Sequence, residues 1–254
     1  MIVSINWKKT SLILLDILIG VYLVLAVTAF NKPDVKATVC TEVKIDIAKD
    51  VMEGFLTPEE VKQLLRRQQL YPLAKPMAEI SSRAIEETLL KSPYIEKAEC
   101  YKTQNGHICI NISQRMPVIR VLADNGDNYY LDNKGNVLPG DPRYACNTVV
   151  ATGHINRSFA KKYLTELGSI IALDPFWQSQ VVQVNVTRDG GLELVPRVGD
   201  HIAYLGKPVQ LQEKLERLRK FYKYGLSHAG WNKYERISVE FDNQIVCKKA
   251  KGEK

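Results

Sequence analysis

Residues 11–30 read Ser-Leu-Ile-Leu-Leu-Asp-Ile-Leu-Ile-Gly-Val-Tyr-Leu-Val-Leu-Ala-Val-Thr-Ala-Phe, and this run constrains the chain more than any other feature. Twenty residues of α-helix rise about 30 Å, the thickness of a bilayer's hydrocarbon core. Trp7, Lys8 and Lys9 precede the run, and Asn31, Lys32, Pro33 and Asp34 follow it. The nearer and denser positive charge is N-terminal, so residues 1–10 are expected to stay in the cytoplasm and everything after about residue 31 to be exported. A cleaved signal peptide is the other reading, with Val27-Thr28-Ala29 as its small-residue site. Signal cores run only about 7–15 apolar residues, so a retained, single-pass transmembrane helix over 11–30 is expected. Asp16 interrupts it. A carboxylate in hydrocarbon is costly. Asp16 lies about 7–8 Å into the run at helical rise, where it either reaches the cytoplasmic headgroups or meets a partner helix.

The chain has 254 residues, room for two compact modules beside an anchor. Its formal net charge is +7, nearly all of it after the apolar run. The Lys and Arg residues are scattered rather than clustered with aromatics, so no nucleic-acid partner is expected. Five cysteines, Cys40, Cys100, Cys109, Cys146 and Cys247, make an odd count with no CxxC spacing. They signal neither a disulfide framework nor a zinc site.

After a polar linker over 31–39, the first module is expected over 40–115. Val43, Ile45 and Ile47 alternate with Lys44 and Asp46 at strand period. Thr57-Pro58-Glu59-Glu60 is a capping box that opens a helix with Val61, Leu64 and Leu65 as its apolar stripe. A second helix is expected from about Ser81 to Leu90, with Ile85, Leu89 and Leu90 inward, ended by Ser92-Pro93. A hairpin follows. Placing Ala98 and Cys100 on one face with Ile108, Ile110 and Ile112 pairs Cys100 with Ile110. It leaves Gln104-Asn105-Gly106 as a three-residue loop with Gly left-handed. In neither that register nor a two-residue Asn-Gly turn is a Cys100–Cys109 disulfide favoured.

That order, strand–helix–helix–strand–strand, is the order of a POTRA module. Together with Ser92-Pro93-Tyr94-Ile95-Glu96-Lys97-Ala98 and Gln114-Arg115-Met116-Pro117-Val118-Ile119-Arg120, it resembles the FtsQ/DivIB family of bacterial cell-division proteins. The resemblance implies a short cytoplasmic tail, one membrane helix, a POTRA domain and a larger β domain. The fold class expected is therefore α+β.

The β domain is expected over 116–250, mixed, with two flanking helices and a polar tail at 251–254. Val118–Leu122, Tyr129–Leu131 and Val137–Pro139 read as strands. The segment from Tyr130-Leu131-Asp132 to Gly135-Asn136-Val137 is similar to the family's pattern at this place. Asp132-Asn133-Lys134-Gly135 lacks the alternating acidic ligands and terminal Glu of a calcium loop, and is expected to be a turn. Asn156 or Ser158 caps a helix with Phe159, Tyr163, Leu164, Leu167 and Ile171 on its apolar face, which Asp174-Pro175 stops. Val182, Val184 and Val186 alternate, Asp189-Gly190-Gly191 turns, and His201–Leu205 reads as a further strand. An amphipathic helix over 209–224 carries Leu211, Leu215, Leu218 and Tyr222 inward, with Gly225 as its cap. A last hairpin sets Ile237, Val239 and Phe241 against Ile245 and Val246 across Asp242-Asn243. A final strand is often an edge strand, whose free backbone groups accept a partner's strand. The lysines that follow it serve equally well as guards against pairing.

No GxSxG, SxxK or glycine-rich phosphate loop is present, and no histidine stands in a ligand spacing. Catalysis, metals and cofactors are not expected. The resemblance implies a scaffold of the bacterial divisome in the inner (cytoplasmic) membrane, at the septum, with a periplasmic ectodomain. It binds coiled-coil membrane partners of the FtsL and FtsB/DivIC kind and couples septal peptidoglycan synthesis to the division ring. Carried over, the partner-binding candidates are Ile237, Val239, Phe241, Gln244, Ile245 and Val246, with Tyr222 and Lys223 on the nearby helix. The alternative expectation is a periplasmic POTRA-containing factor for outer-membrane protein assembly or secretion.

Overall fold

The computed structural model describes residues 7–30, 39–48, 56–141 and 146–250, with the side chains of the first helix described over 11–26. The expected tails at 1–10 and 251–254 and the linker at 31–39 lie wholly or mostly outside these residues.

The first helix, α1, is continuous over Trp7–Phe30. Its side chains from Leu12 to Leu25 are exposed on every side. The expected membrane span is not established by the described stretch. Among the described residues no helix is long and apolar enough to cross a membrane.

The chain divides into two compact units. The first takes in Met1–Asp46, Pro58–Leu89 and Ala98–Ile112. After α1 the elements run β1 (Glu42–Ile47), α2 (Pro58–Arg67), α3 (Ser82–Leu90), β2 (Ile95–Lys102) and β3 (His107–Gln114), the expected order. The three strands form a sheet in the order β1-β3-β2. Strand period puts Ile108, Ile110 and Ile112 on the buried face, and helical period buries Val61, Leu65, Ile85 and Leu89. Leu90 departs from expectation. It ends α3 at 48% exposed, because it lies about 100° round the helix from Leu89 and so off the Ile85–Leu89 stripe. The hairpin loop is the expected one. Thr103 N donates to the His107 carbonyl at 2.9 Å, and Gly106 has φ 74°. Cys100 is buried and Cys109 half-buried, and all five cysteines are free.

The second unit takes in Ile47–Thr57, Leu90–Lys97 and Ser113–Lys254. Its strands are β4 (Pro117–Ala123), β5 (Asn128–Asp132), β6 (Val137–Pro139), β7 (Val149–Gly153), β8 (Val181–Val186), β9 (Leu192–Pro196), β10 (Ile202–Gly206), β11 (Tyr234–Ser238) and β12 (Val246–Lys249). They make one nine-stranded sheet, β12-β11-β10-β9-β8-β7-β4-β5-β6. Pairings β4–β7, β7–β8 and β10–β11 are parallel and the others antiparallel. Parallel neighbours need a crossover, and the helices supply two. Between β7 and β8 come α4 (Arg157–Phe159), a π-helical stretch Ala160–Leu164, α5 (Thr165–Leu173) and α6 (Pro175–Gln180). Between β10 and β11 come α7 (Leu211–Phe221), a π-helical stretch Tyr222–Leu226 and α8 (Ser227–Ala229).

Register lines up one buried row across seven strands: Val121, Ala151, Val184, Leu194, Ala203, Ile237 and the half-buried Cys247. Ala160, Leu164, Leu167, Ile171, Trp177, Leu211, Leu215 and Leu218 from the helices join the same core. The expected pair of flanking helices is thus broken into more pieces. Asp174-Pro175 ends one helix and begins another, because the Asp174 carboxylate accepts from Phe176 N at 3.0 Å and Pro175 takes the first helical position. The cap expected at Gly225 moves to Gly230, whose φ is 93°, and Gly225 falls inside the π-helical stretch.

Asp132 makes the turn between β5 and β6. Its carboxylate accepts from Lys134 N at 2.9 Å, Asn136 N at 2.7 Å, Asn136 Nδ2 at 2.8 Å and Arg115 Nη1 at 3.1 Å. The oxygens are occupied by N–H donors, which is the chemistry of a turn and not of a cation site.

Candidate functional site

The large sheet has two edges. One is β6, three residues long and ending at Pro139, whose carbonyl accepts from the Tyr94 hydroxyl at 3.2 Å. The other is β12, which pairs with β11 through Ser238↔Val246, Ile237↔Cys247 and Arg236↔Lys248. Among the described residues no strand pairs with the outer side of β12. Sheets bury or blunt such edges because unpaired N–H and C=O groups invite another strand.

The partner-binding candidates separate into two groups. Ile237 and Val239 are fully buried in the core, and so is Tyr222 at 3% exposed. They build the edge from behind. Phe241 at 54% and Val246 at 52% exposed, with the exposed Gln244 and Lys223, present side chains to solvent. Ile245 is half-buried and packs against the core, so it belongs to both. Beside the segment leading into β12 runs an open groove of about 470 Å³, lined by Glu213, Glu216, Arg217 and Lys220 from α7 and by Gln244 and Ile245. It carries both signs of charge along an exposed edge.

Tyr222 is held by a buried partner. Its hydroxyl lies 2.8 Å from His201 Nε2, and the Trp231 ring packs edge-on at 5.3 Å. Burial pushes the Tyr222 hydroxyl up and the His201 imidazole down from their ordinary values, while the Trp231 carbonyl and Asp200 act against the shift at His201. At neutral pH the pair is a neutral hydrogen bond inside an aromatic cluster, tying β10, the π-helical stretch and the approach to β11 together.

The opposite face of the sheet is half-exposed and polar. Gln183 Nε2 donates to Thr152 Oγ1 at 2.7 Å, Asn185 Nδ2 to Glu193 Oε2 at 2.9 Å and Arg236 Nη1 to Glu193 Oε1 at 2.8 Å. The Arg236 guanidinium also lies 4.3 Å from the Tyr204 ring centre. Sequence reasoning missed this network. Its signal was period-two alternation of Thr152, Gln183, Asn185 and Glu193 with buried neighbours.

Two further side chains escaped it. Lys214 is buried and donates to the Lys207 carbonyl at 2.8 Å. Burial pushes its ammonium down from its ordinary value, and Glu240 acts against the shift. Arg217, one turn on, reaches the segment after β11. Lys214 sits three residues after Leu211 and one before Leu215, at the margin of the apolar stripe, where a long stem can lie against core.

Little here suits bond-making. Burial pushes the thiols of Cys40, Cys100 and Cys247 up, away from the reactive thiolate. Among the described residues no group of three His, Cys, Asp or Glu side chains could hold a metal ion.

A small α/β module with the POTRA element order, followed by a larger sheet that ends in an edge strand, defines a class of two-module α+β proteins. The chain matches a family model described as FtsQ/DivIB, C-terminal related, over residues 116–248, slightly more than half its length, and a POTRA-like domain model over residues 38–113. It belongs to the FtsQ/DivIB family. No curated protein matches it. The family is one of non-enzymatic division scaffolds, and its two domains mark this chain as a cell-division protein.

Proposed function

We propose that this protein is a single-pass scaffold of the bacterial divisome, whose strand β12 receives an extended segment of a small coiled-coil membrane partner of the FtsL or FtsB/DivIC kind. The observation that carries the reading is the position of β12 at the open edge of the large sheet. Main-chain hydrogen bonds supply affinity in strand addition, and alternate side chains supply specificity. Phe241, Gln244, Ile245, Val246 and Lys223 provide those side chains. Ile237, Val239 and Tyr222 act behind them as core.

The helix Trp7–Phe30 is the anchor in this reading. A helix apolar all round is either a buried core helix or a membrane span, and α1 exposes its apolar side chains on all sides. Lys8 and Lys9 favour a cytoplasmic N-terminus, and in this reading the two modules lie in the periplasm, at the septum of the inner membrane. Bound there, the scaffold couples septal peptidoglycan synthesis to the division ring by localisation, without chemistry of its own.

The test is capture of partners from membranes by the full chain and by a Val246→Glu variant. Val246 is exposed, so the new charge leaves the core intact while burying a carboxylate in any added strand. We expect the wild-type chain to retain a small coiled-coil membrane protein and the variant to lose it at an unchanged melting temperature. Equal retention by both would remove the edge from the site. Capture of outer-membrane or secreted clients instead would make the protein an assembly or secretion factor.

A further inference from the structure

The connection between β11 and β12 is held from one side by a single arginine. Arg217 Nη1 donates to the Val239 carbonyl at 3.1 Å and to the Phe241 carbonyl, and Nη2 donates to Asp242 Oδ1 at 3.2 Å. Two of these three acceptors are backbone, so the arginine reads the path of the chain rather than its side chains. The planar fork of a guanidinium suits this, since its donors leave in fixed directions. The arm is anchored. Leu211, Leu215 and Leu218 fix α7 in the core, and the Arg217 side chain is only 18% exposed.

Val239 is buried and its N–H donates to the Tyr204 carbonyl at 2.9 Å, but past it the connection has little else to hold it. Phe241, Asp242, Asn243 and Gln244 are exposed, and Asn243 adopts a left-handed φ of 61°. In β12 itself Val246, Lys248 and Lys249 are exposed, and Cys247 alone is half-buried. Edge strands with so few buried contacts lie at the low end of local stability. A strand formed only part of the time accepts a partner only for that fraction, and apparent affinity falls in proportion.

We propose that Arg217 is a positioning residue, which clasps the β11–β12 connection so that β12 stands as a preformed edge for its partner. The inference rests on the edge-strand reading above, and its first test needs no partner. Amide hydrogen exchange is measured on the full chain in detergent, for wild type, Arg217→Ala and Arg217→Lys. Exchange over 243–249 is expected to rise about tenfold in Arg217→Ala and by less in Arg217→Lys, which keeps the charge but not the fork, with β8 and β9 unchanged. Unchanged exchange at β12, or a rise across the whole second unit, overturns the clasp. The second test uses the coiled-coil protein captured by wild type. Arg217→Ala is expected to slow its association about tenfold at constant dissociation. Faster dissociation would make Arg217 a contact and overturn the positioning role. Loss of capture on Val246→Glu tests the edge itself, so the two readings fail separately.

Discussion

His201 shows how one buried ring makes stability depend on pH. It is 1% exposed, and its Nε2 lies 2.8 Å from the Tyr222 hydroxyl. Burial holds its folded pKa below the ordinary value of 6.5. The unfolded chain therefore takes up protons first as pH falls. Stability from this group is complete above about pH 6.5 and is lost as pH drops from there through the depressed folded value. His201→Gln keeps an amide able to bond Tyr222 and removes the titration. The urea midpoint of the wild type should fall between pH 7.5 and pH 5, and that of the variant should fall less. Parallel declines would mean that other groups carry the acid sensitivity. Asp132 is a buried carboxylate of another kind, which accepts four N–H donors and serves the turn.

Among the elements, α5 approaches β4 closely, and Gly168 permits it. A Cβ there would stand 2.9 Å from Ile119 Cβ and 3.2 Å from Val118 Cγ2. Alanine favours helix over glycine by about 1 kcal/mol. Overpacking a filled core costs about 1–3 kcal/mol, and a Cβ cannot swing aside as a side-chain tip can. The clash should win, so Gly168→Ala is expected to destabilise the second unit by about 1–2 kcal/mol in urea unfolding. A more stable variant would show that α5 can shift freely on β4. Elements like these were largely legible in the sequence. Period-two runs and turn residues predicted most of the strands, the Gly106 loop and the final edge, but the last hairpin is looser than expected: β11 ends at Ser238 and β12 begins at Val246, which leaves Val239, Phe241 and Ile245 in the connection. The spacing of Leu211, Leu215, Leu218 and Tyr222 already placed Tyr222 on a buried stripe. It was the family resemblance that nominated Tyr222 for the surface. Less legible were features set by long side chains finding distant carbonyls, such as Arg217 at Val239 and Lys214 at Lys207. Pattern also misses a residue with two jobs, as Asp174 has. Burial alone would raise its carboxyl, but the Arg219 guanidinium and the Phe176 amide together hold it below its ordinary value.

At the scale of the whole molecule, two compact units imply two cores and a separable response to damage. Leu65 is fully buried in the first unit and Leu194 is 1% exposed in the second. Removing either side chain leaves a cavity that costs about 2–5 kcal/mol. The tryptophans report unequally. Trp177 and Trp231 belong to the second unit, and Trp7 stands at the start of α1. Tryptophan fluorescence during urea unfolding therefore follows the large sheet, while far-ultraviolet circular dichroism follows both units. Leu194→Ala should lower the fluorescence midpoint. Leu65→Ala should leave that midpoint nearly in place and pull the dichroism curve ahead of it. The strands β2 and β3 argue the other way, because each begins or ends in the second unit and continues into the first. If Leu65→Ala shifts both probes together, that shared pair of strands makes the two units one cooperative body.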